Sequence, residues 1–138
     1  MQKQDKKSLF IDLISILGRK WSLFILSELL AHTYLSFSEI RKQILKDFKL
    51  TISPRVLSDS LQLLEENKIV NRNVMSEYRP IRVFYQLTEK GEDLRIVIGL
   101  LQNWEMKWKE KEGDNSEYEI PQWFFRQFEA LVPTIKEN

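Results

Sequence analysis

The stretch Ser53-Pro54-Arg55-Val56-Leu57-Ser58-Asp59-Ser60-Leu61-Gln62-Leu63-Leu64-Glu65-Glu66 decides how the rest of the chain is read. Serine followed by proline marks a helix start: a serine hydroxyl caps the first free N–H groups, and proline is tolerated at the first helical position. Asn67 suits the C-cap. At roughly 100° per residue, Arg55, Ser58, Asp59, Gln62 and Glu66 share one arc of about 100°. Leu57, Ser60, Leu61 and Leu64 lie opposite. One face is made for a core, and the other carries side chains able to read base edges. Arginine offers guanine a bidentate donor pair, glutamine pairs with adenine, and a carboxylate accepts from the cytosine amino group. An ordinary solvated helix face would look much the same, so the neighbouring elements have to discriminate.

Upstream, Leu9, Phe10, Leu13, Ile14 and Leu17 recur at helical spacing until Gly18 stops the run. In a second helix Trp21, Phe24, Ile25 and Leu29 share a face, with Leu26 and Leu30 beside it. Such breadth predicts a central helix packed on several sides. Phe37-Ser38-Glu39-Ile40 opens a third helix, with Ser38 as the predicted N-cap, running to about residue 47. Downstream the period changes. Residues 69–74 and 81–87 read as two strands rich in Val, Ile, Phe and Tyr, with Ser76 to Pro80 as the turn. Thr88 caps a long fifth helix predicted to run through Trp104 and Trp108 to about Glu112. Gly113-Asp114-Asn115-Ser116 is a break, and a short helix is expected after Pro121, with Phe124, Phe128 and Leu131 on one face.

Four helices, a hairpin and a helix give a mostly α chain with a small β-hairpin, an α+β winged helix-turn-helix with flanking N- and C-terminal helices. Residues 1–112 are expected to form that domain, and 113–138 an extension whose short aromatic helix packs on the same domain or dimer. Winged helices also serve as protein-interaction modules without DNA binding, so the order of elements does not fix function.

Composition removes other classes. The 138 residues include no cysteine and one histidine, His32, so disulfides, thiol nucleophiles, thiolate metal sites and the usual catalytic triads lack their parts. Carboxylates are present without a nucleophile–base pair, which predicts no catalytic residues, no metal site, no cofactor and no enzyme. His32 falls near a helix end, where it complements the dipole; a lone ligand or pH sensor is the other reading. No apolar run reaches the ~18 residues of a membrane span. The charged N-terminus resembles the start of a signal peptide, but Asp12 and Ser15 break the segment that follows and no small-residue cleavage site comes after it. A cytoplasmic protein with no membrane partner is expected.

The formal net charge is only +1, yet residues 1–50 carry a net +4 and residues 89–138 a net −4. A basic front and an acidic back suit a protein that meets a polyanion on one side. Ser38, Arg41 and Lys42 lie on the third helix, with Lys46 and Lys49 following, where a helix-turn-helix crosses the DNA backbone. Ser53, Arg55 and Ser58 sit near the positive end of the fourth helix, and Asp59 and Gln62 continue its polar face. The hairpin has Arg72, Arg79 and Arg82, which can lie along phosphates or enter a narrow minor groove. Leaving aside Lys46 and Lys49, the other eleven residues are the candidate contacts to double-stranded DNA.

Together these features resemble the HxlR-type family of winged-helix transcriptional regulators. The resemblance rests on Gly18-Arg19-Lys20-Trp21 with Phe24 to Leu29, on Phe37-Ser38-Glu39-Ile40, and on Ile52-Ser53 with Val56-Leu57-Ser58, Leu61 and Leu64-Glu65. It extends through Arg79 to Gly91, where Leu87-Thr88-Glu89-Lys90-Gly91 is similar to the family's Leu-Thr-x-x-Gly, and ends on Trp104. It implies a dimeric DNA-binding transcription factor whose first and last helices pair the subunits and whose two recognition helices enter successive major grooves. The chain departs from the family in four places. Ser36 replaces an arginine, and Ser8 stands where many members carry a cysteine, which removes a thiol switch. The segment between Phe37 and Ile52 is a few residues longer, and residues 113–138 extend past the family core.

Periodicity supports the dimer independently. Leu94, Val97, Ile98, Leu101, Trp104 and Trp108 form a stripe that Ile96 and Leu100 widen. Leu9, Phe10 and Leu13 with Val97, Leu101, Trp104 and Trp108 are the candidate dimerisation residues; packing within one chain is the plainer alternative. A two-fold dimer would match a palindromic operator. Trp123, Phe124, Phe125 and Phe128 could lock that dimer or cover the core. A small-molecule effector is admissible, but no residue pattern supports one.

Overall fold

The computed structural model describes residues 8–113. The chain runs α1 (Leu9–Leu17), α2 (Ser22–Ala31), β1 (Leu35–Ser36), α3 (Phe37–Phe48), α4 (Pro54–Glu66), β2 (Val70–Met75), β3 (Arg82–Leu87), α5 (Glu89–Glu92) and α6 (Arg95–Glu112). This is an α+β winged helix: helices on one face of a three-stranded antiparallel sheet ordered β1-β3-β2. Among the described residues no helix is long and apolar enough to cross a membrane.

The α2 helix is the hub. From Ile25 to Leu30 every residue is buried, and α1, α3, β3 and α6 all contact it. Leu57, Leu61 and Leu64 from α4, with Ile40 and Ile44 from α3, complete a core that is almost wholly inaccessible to water. Each such side chain contributes about 1.5–3 kcal/mol by leaving water. The α4 helix lies as the sequence indicates, with Ser53 Oγ accepting from Val56 N at 3.2 Å and Asn67 at its C-cap.

Four local features differ from expectation. The cap of α3 is Ser36, two residues before Ser38. Ser36 is extended and its hydroxyl accepts from Glu39 N, while the Glu39 carboxylate accepts from Ser36 N at 2.8 Å. This reciprocal box satisfies two otherwise free N–H groups, which a cap at Ser38 would not achieve. Leu35–Ser36 pair with Tyr85 and Phe84 as a third strand too short to carry a period. Both hairpin strands start one residue later than read, and β2 also ends one later, at Met75. The fifth helix is two, α5 and α6, separated at Asp93–Leu94.

The cause of that break lies in the Leu-Thr-x-x-Gly segment. Thr88 Oγ1 donates to Lys68 O at 2.6 Å and accepts from Gly91 N at 3.0 Å, so it caps α5 and pins it to the α4–β2 junction. Gly91 lies so close that a Cβ there would stand 2.3 Å from the Ile69 carbonyl oxygen. The first turn is thereby fixed on the start of β2. At Leu94 the amide bonds Gly91 O, a tighter i→i+3 turn, before the longer helix resumes. The short helix expected after Pro121 falls outside the described residues.

Candidate nucleic-acid interface

Arg55, Ser58, Asp59 and Gln62 are all exposed on the face of α4 opposite Leu57, Leu61 and Leu64. Ser53 and Arg55 stand in the first turn, where free N–H groups and the positive dipole end favour an anion. The Ser53 hydroxyl already accepts from Val56 N, so toward a phosphate it can act only as a donor. Gln62 Nε2 donates to Glu66 Oε1 at 3.1 Å. That bond holds the amide along the helix and uses one of its two N–H groups, leaving the other and the amide oxygen for a base.

The α3 helix supplies the support. Arg41 is only half exposed, and its Nε donates to Ile52 O at 3.1 Å. It therefore fastens α3 to the residue before the α4 cap. The sequence suggests a phosphate contact here, whereas the structure adds a tether that no spacing rule reveals. Lys42 is exposed beside it, and Ser38 stands exposed near Ser36 Oγ. Ser38, Arg41, Lys42, Leu45, Thr51 and Ile52 line a depression between α3 and the segment entering α4.

The three wing arginines do not share a face. Arg72 is paired with Tyr85, on the side of the sheet that carries the buried Val70 and Leu87. Arg82 is paired with Met75 and projects from the other side, where its guanidinium stacks 4.7 Å from the Tyr78 ring. Arg79 stands in the exposed turn, joined to Pro80 by a cis peptide, with one guanidinium nitrogen donating to the carbonyls of Ser76 and Tyr78. Turn carbonyls thus orient Arg79, a ring orients Arg82, and Arg72 extends from the edge strand.

The candidate dimerisation residues divide in two. Leu9 and Phe10 are about 70% exposed on α1, and Leu101, Trp104 and Trp108 are exposed on α6. Leu13 and Val97 are partly buried and pack against the chain's own core. Ile11, Ile14, Ile96 and Leu100 are further exposed apolar side chains on these helices. His32 terminates α2 as its C-cap, with Nε2 3.9 Å from Glu28 Oε1. Among the described residues no group of His, Cys, Asp and Glu could hold a metal ion.

The sequence profile described as HxlR-like helix-turn-helix matches residues 16–113. The HTH-type transcriptional regulator YvaP of Bacillus subtilis (strain 168) is 35% identical over 95 residues, covering 69% of this chain and 82% of YvaP. The transcriptional regulator YodB of the same organism is 36% identical over 90 residues, covering 65% of this chain and 74% of YodB. The crystal structure of YodB in its reduced form superimposes with a TM-score of 0.60 at 31% identity, over 77% of this chain and 97% of that one. YodB has also been solved after diamide treatment.

Proposed function

Because the chain belongs to the HxlR-like helix-turn-helix family, whose members here are DNA-binding transcriptional regulators and not enzymes, we propose that it acts as a homodimer on a palindromic operator. In this reading α4 enters the major groove and the wing lies on the backbone or in the minor groove. The observation that carries it is the exposed polar arc of Arg55, Ser58, Asp59 and Gln62 on a helix otherwise anchored by three buried leucines. Arg55 and Gln62 are the base readers, with Ser58 and Asp59 beside them. Ser38, Lys42, Ser53 and the wing arginines position the duplex through its phosphates. Arg41 assists by holding the α3–α4 connection.

The apolar residues left on α1 and α6 supply the second half of the proposal. Leu9, Phe10, Leu101 and Trp104 leave large apolar side chains in water, and an isologous partner presenting the same helices would cover them. Residues 1–112 act as the working domain, and 113–138 as an addition to it. No cysteine is present, so any signal reaches this regulator by a route other than thiol oxidation. Nothing in the geometry favours the protein-interaction module as a second reading. Selection from a pool of random duplexes tests the proposal. Enriched inverted half-sites with centres about one helical turn apart support it; enrichment of unsymmetric sites, or of none, counts against it.

A further inference from the structure

One face of α3 carries positive charge without a counter-charge. Ser38, Arg41, Lys42 and Leu45 stand at helical spacing opposite the buried Ile40 and Ile44, and Thr51 and Ile52 close the depression beside them. That second wall comes from the connection in which the chain is a few residues longer than the family pattern. Lys49 takes the left-handed conformation there, at φ 57°, and the turned chain brings Thr51 back to the α3 face. No carboxylate lines the depression. Glu39, next to Ser38, accepts from Ser36 N at 2.8 Å. Arg41 uses only its Nε on Ile52 O, at 3.1 Å, and keeps both Nη groups for another acceptor. Neither those groups, the Lys42 ammonium nor the Thr51 hydroxyl has a hydrogen bond or ion pair among the described residues. We propose that Arg41, Lys42 and Thr51 form a cradle for one backbone phosphate of DNA, with Arg41 holding that phosphate and Ile52 O at once.

The donor set fits a phosphodiester. Its unesterified oxygens accept a planar donor pair from a guanidinium, a point charge from an ammonium and a single bond from a hydroxyl. Ser38 Oγ, 3.4 Å from Ser36 Oγ, borders the same space and adds a hydroxyl at its end. Leu45, exposed at the rim, offers apolar surface to the deoxyribose beside a phosphate, a contact that a free phosphate ion cannot use. The place is also right in the DNA-binding reading, on which this inference rests. Ile52 immediately precedes the Ser53 cap, so a phosphate in the cradle lies at the flank of the helix that enters the groove. An Arg41 that grips both the phosphate and Ile52 O fixes the α3–α4 connection, and with it α4, against the backbone. Thr51 is the positioning residue this adds. It has no charge and belongs to no helical pattern; only the folded connection brings it beside Arg41.

The test uses the full chain and the operator recovered by selection. Each backbone phosphate of one half-site is replaced in turn by an uncharged methylphosphonate, and affinity is measured for wild type, Thr51→Val and Arg41→Lys. Thr51 is exposed and its hydroxyl bonds nothing in the fold, so Thr51→Val should melt as wild type does. At the cradle phosphate, neutralisation is expected to weaken wild-type binding about tenfold or more. In both variants that loss shrinks at the same position and nowhere else, because the contact is already gone. Base preference of Thr51→Val stays that of wild type, since a phosphate contact carries no sequence. Equal losses for wild type and Thr51→Val at every position overturn the cradle and leave the DNA reading standing. Inorganic phosphate that weakens operator binding more than chloride at equal ionic strength, without the methylphosphonate coupling, makes the depression a site for free anions and overturns it as well. Failure of wild type to bind any selected duplex overturns the DNA reading, and the cradle with it.

Discussion

At the residue scale, several side chains on the proposed DNA side already have partners that define what they can still do. Among the described residues the Arg55 guanidinium in the first turn of α4 makes no hydrogen bond or ion pair, whereas Gln62 Nε2 donates to Glu66. Arg55→Ala and Gln62→Ala should each lower the preference for the selected site over random duplex by roughly 1–3 kcal/mol, read from competition binding. Arg79→Ala should instead weaken all sequences alike and reduce the slope of log affinity against log salt by about 1. If Arg79→Ala changed sequence preference with the slope intact, the division between reader and backbone contact would be wrong. Glu28 gives a prediction independent of DNA. Burial raises its carboxyl from 4.5 to about 9 in the folded chain. The folded state therefore binds the proton more tightly than the unfolded chain does. The associated stability is complete below about pH 4.5 and is lost as pH rises through about 9. Glu28→Gln should be the more stable protein at pH 8, by an amount on the order of a few kcal/mol, with the gap closing toward pH 4.5. Chemical denaturation at the two pH values checks this.

At the scale of elements, the junction built by Thr88 and Gly91 makes the wing and the last helices one unit. Gly91→Ala would force a methyl group against the Ile69 carbonyl and should cost about 1–3 kcal/mol, measured by denaturant unfolding. The α4 helix was fully legible because cap, proline, leucine spacing and C-cap all agree in one short run, and local agreement of that kind leaves little for tertiary contacts to override. The Ser36 cap was also written in the sequence, as Ser-x-x-Glu over Ser36 to Glu39. It was missed because Ser38 offered a second serine next to the helix. The strand Leu35–Ser36 could not be read, since two residues have no period and their partners lie some fifty positions away. The break at Asp93–Leu94 has no proline to announce it; it follows from how closely Gly91 approaches β2, a contact between elements. For the site, residue types and their exposure were legible. The tether from Arg41 to Ile52, the opposite faces of Arg72 and Arg82, and the burial of Glu28 depend on packing and were not.

At the scale of the whole molecule, the basic side chains of α3, α4 and the wing and the exposed apolar side chains of α1 and α6 define two different surfaces to explain. Apolar surface remains on α1 and α6, away from the leucine face of α4. The proposed dimer would answer both: it would cover the apolar helices and set two recognition helices about a two-fold axis. Phe10→Asp combined with Leu101→Asp alters exposed positions only, so each chain should stay folded while sedimentation shows monomers at micromolar concentration. Operator affinity should fall at least a hundredfold, because a single half-site forgoes the second contact. A folded double variant that remained dimeric would move the interface elsewhere. The most direct test of the central claim is a titration of the full chain onto DNA from upstream of its own coding region, with excess random duplex and a salt series, followed by band shift and by mass of the complex. A discrete, competitor-resistant, salt-sensitive complex of two chains per duplex is the predicted result. Binding no tighter than to random duplex, or a specific complex with one chain, would contradict the account.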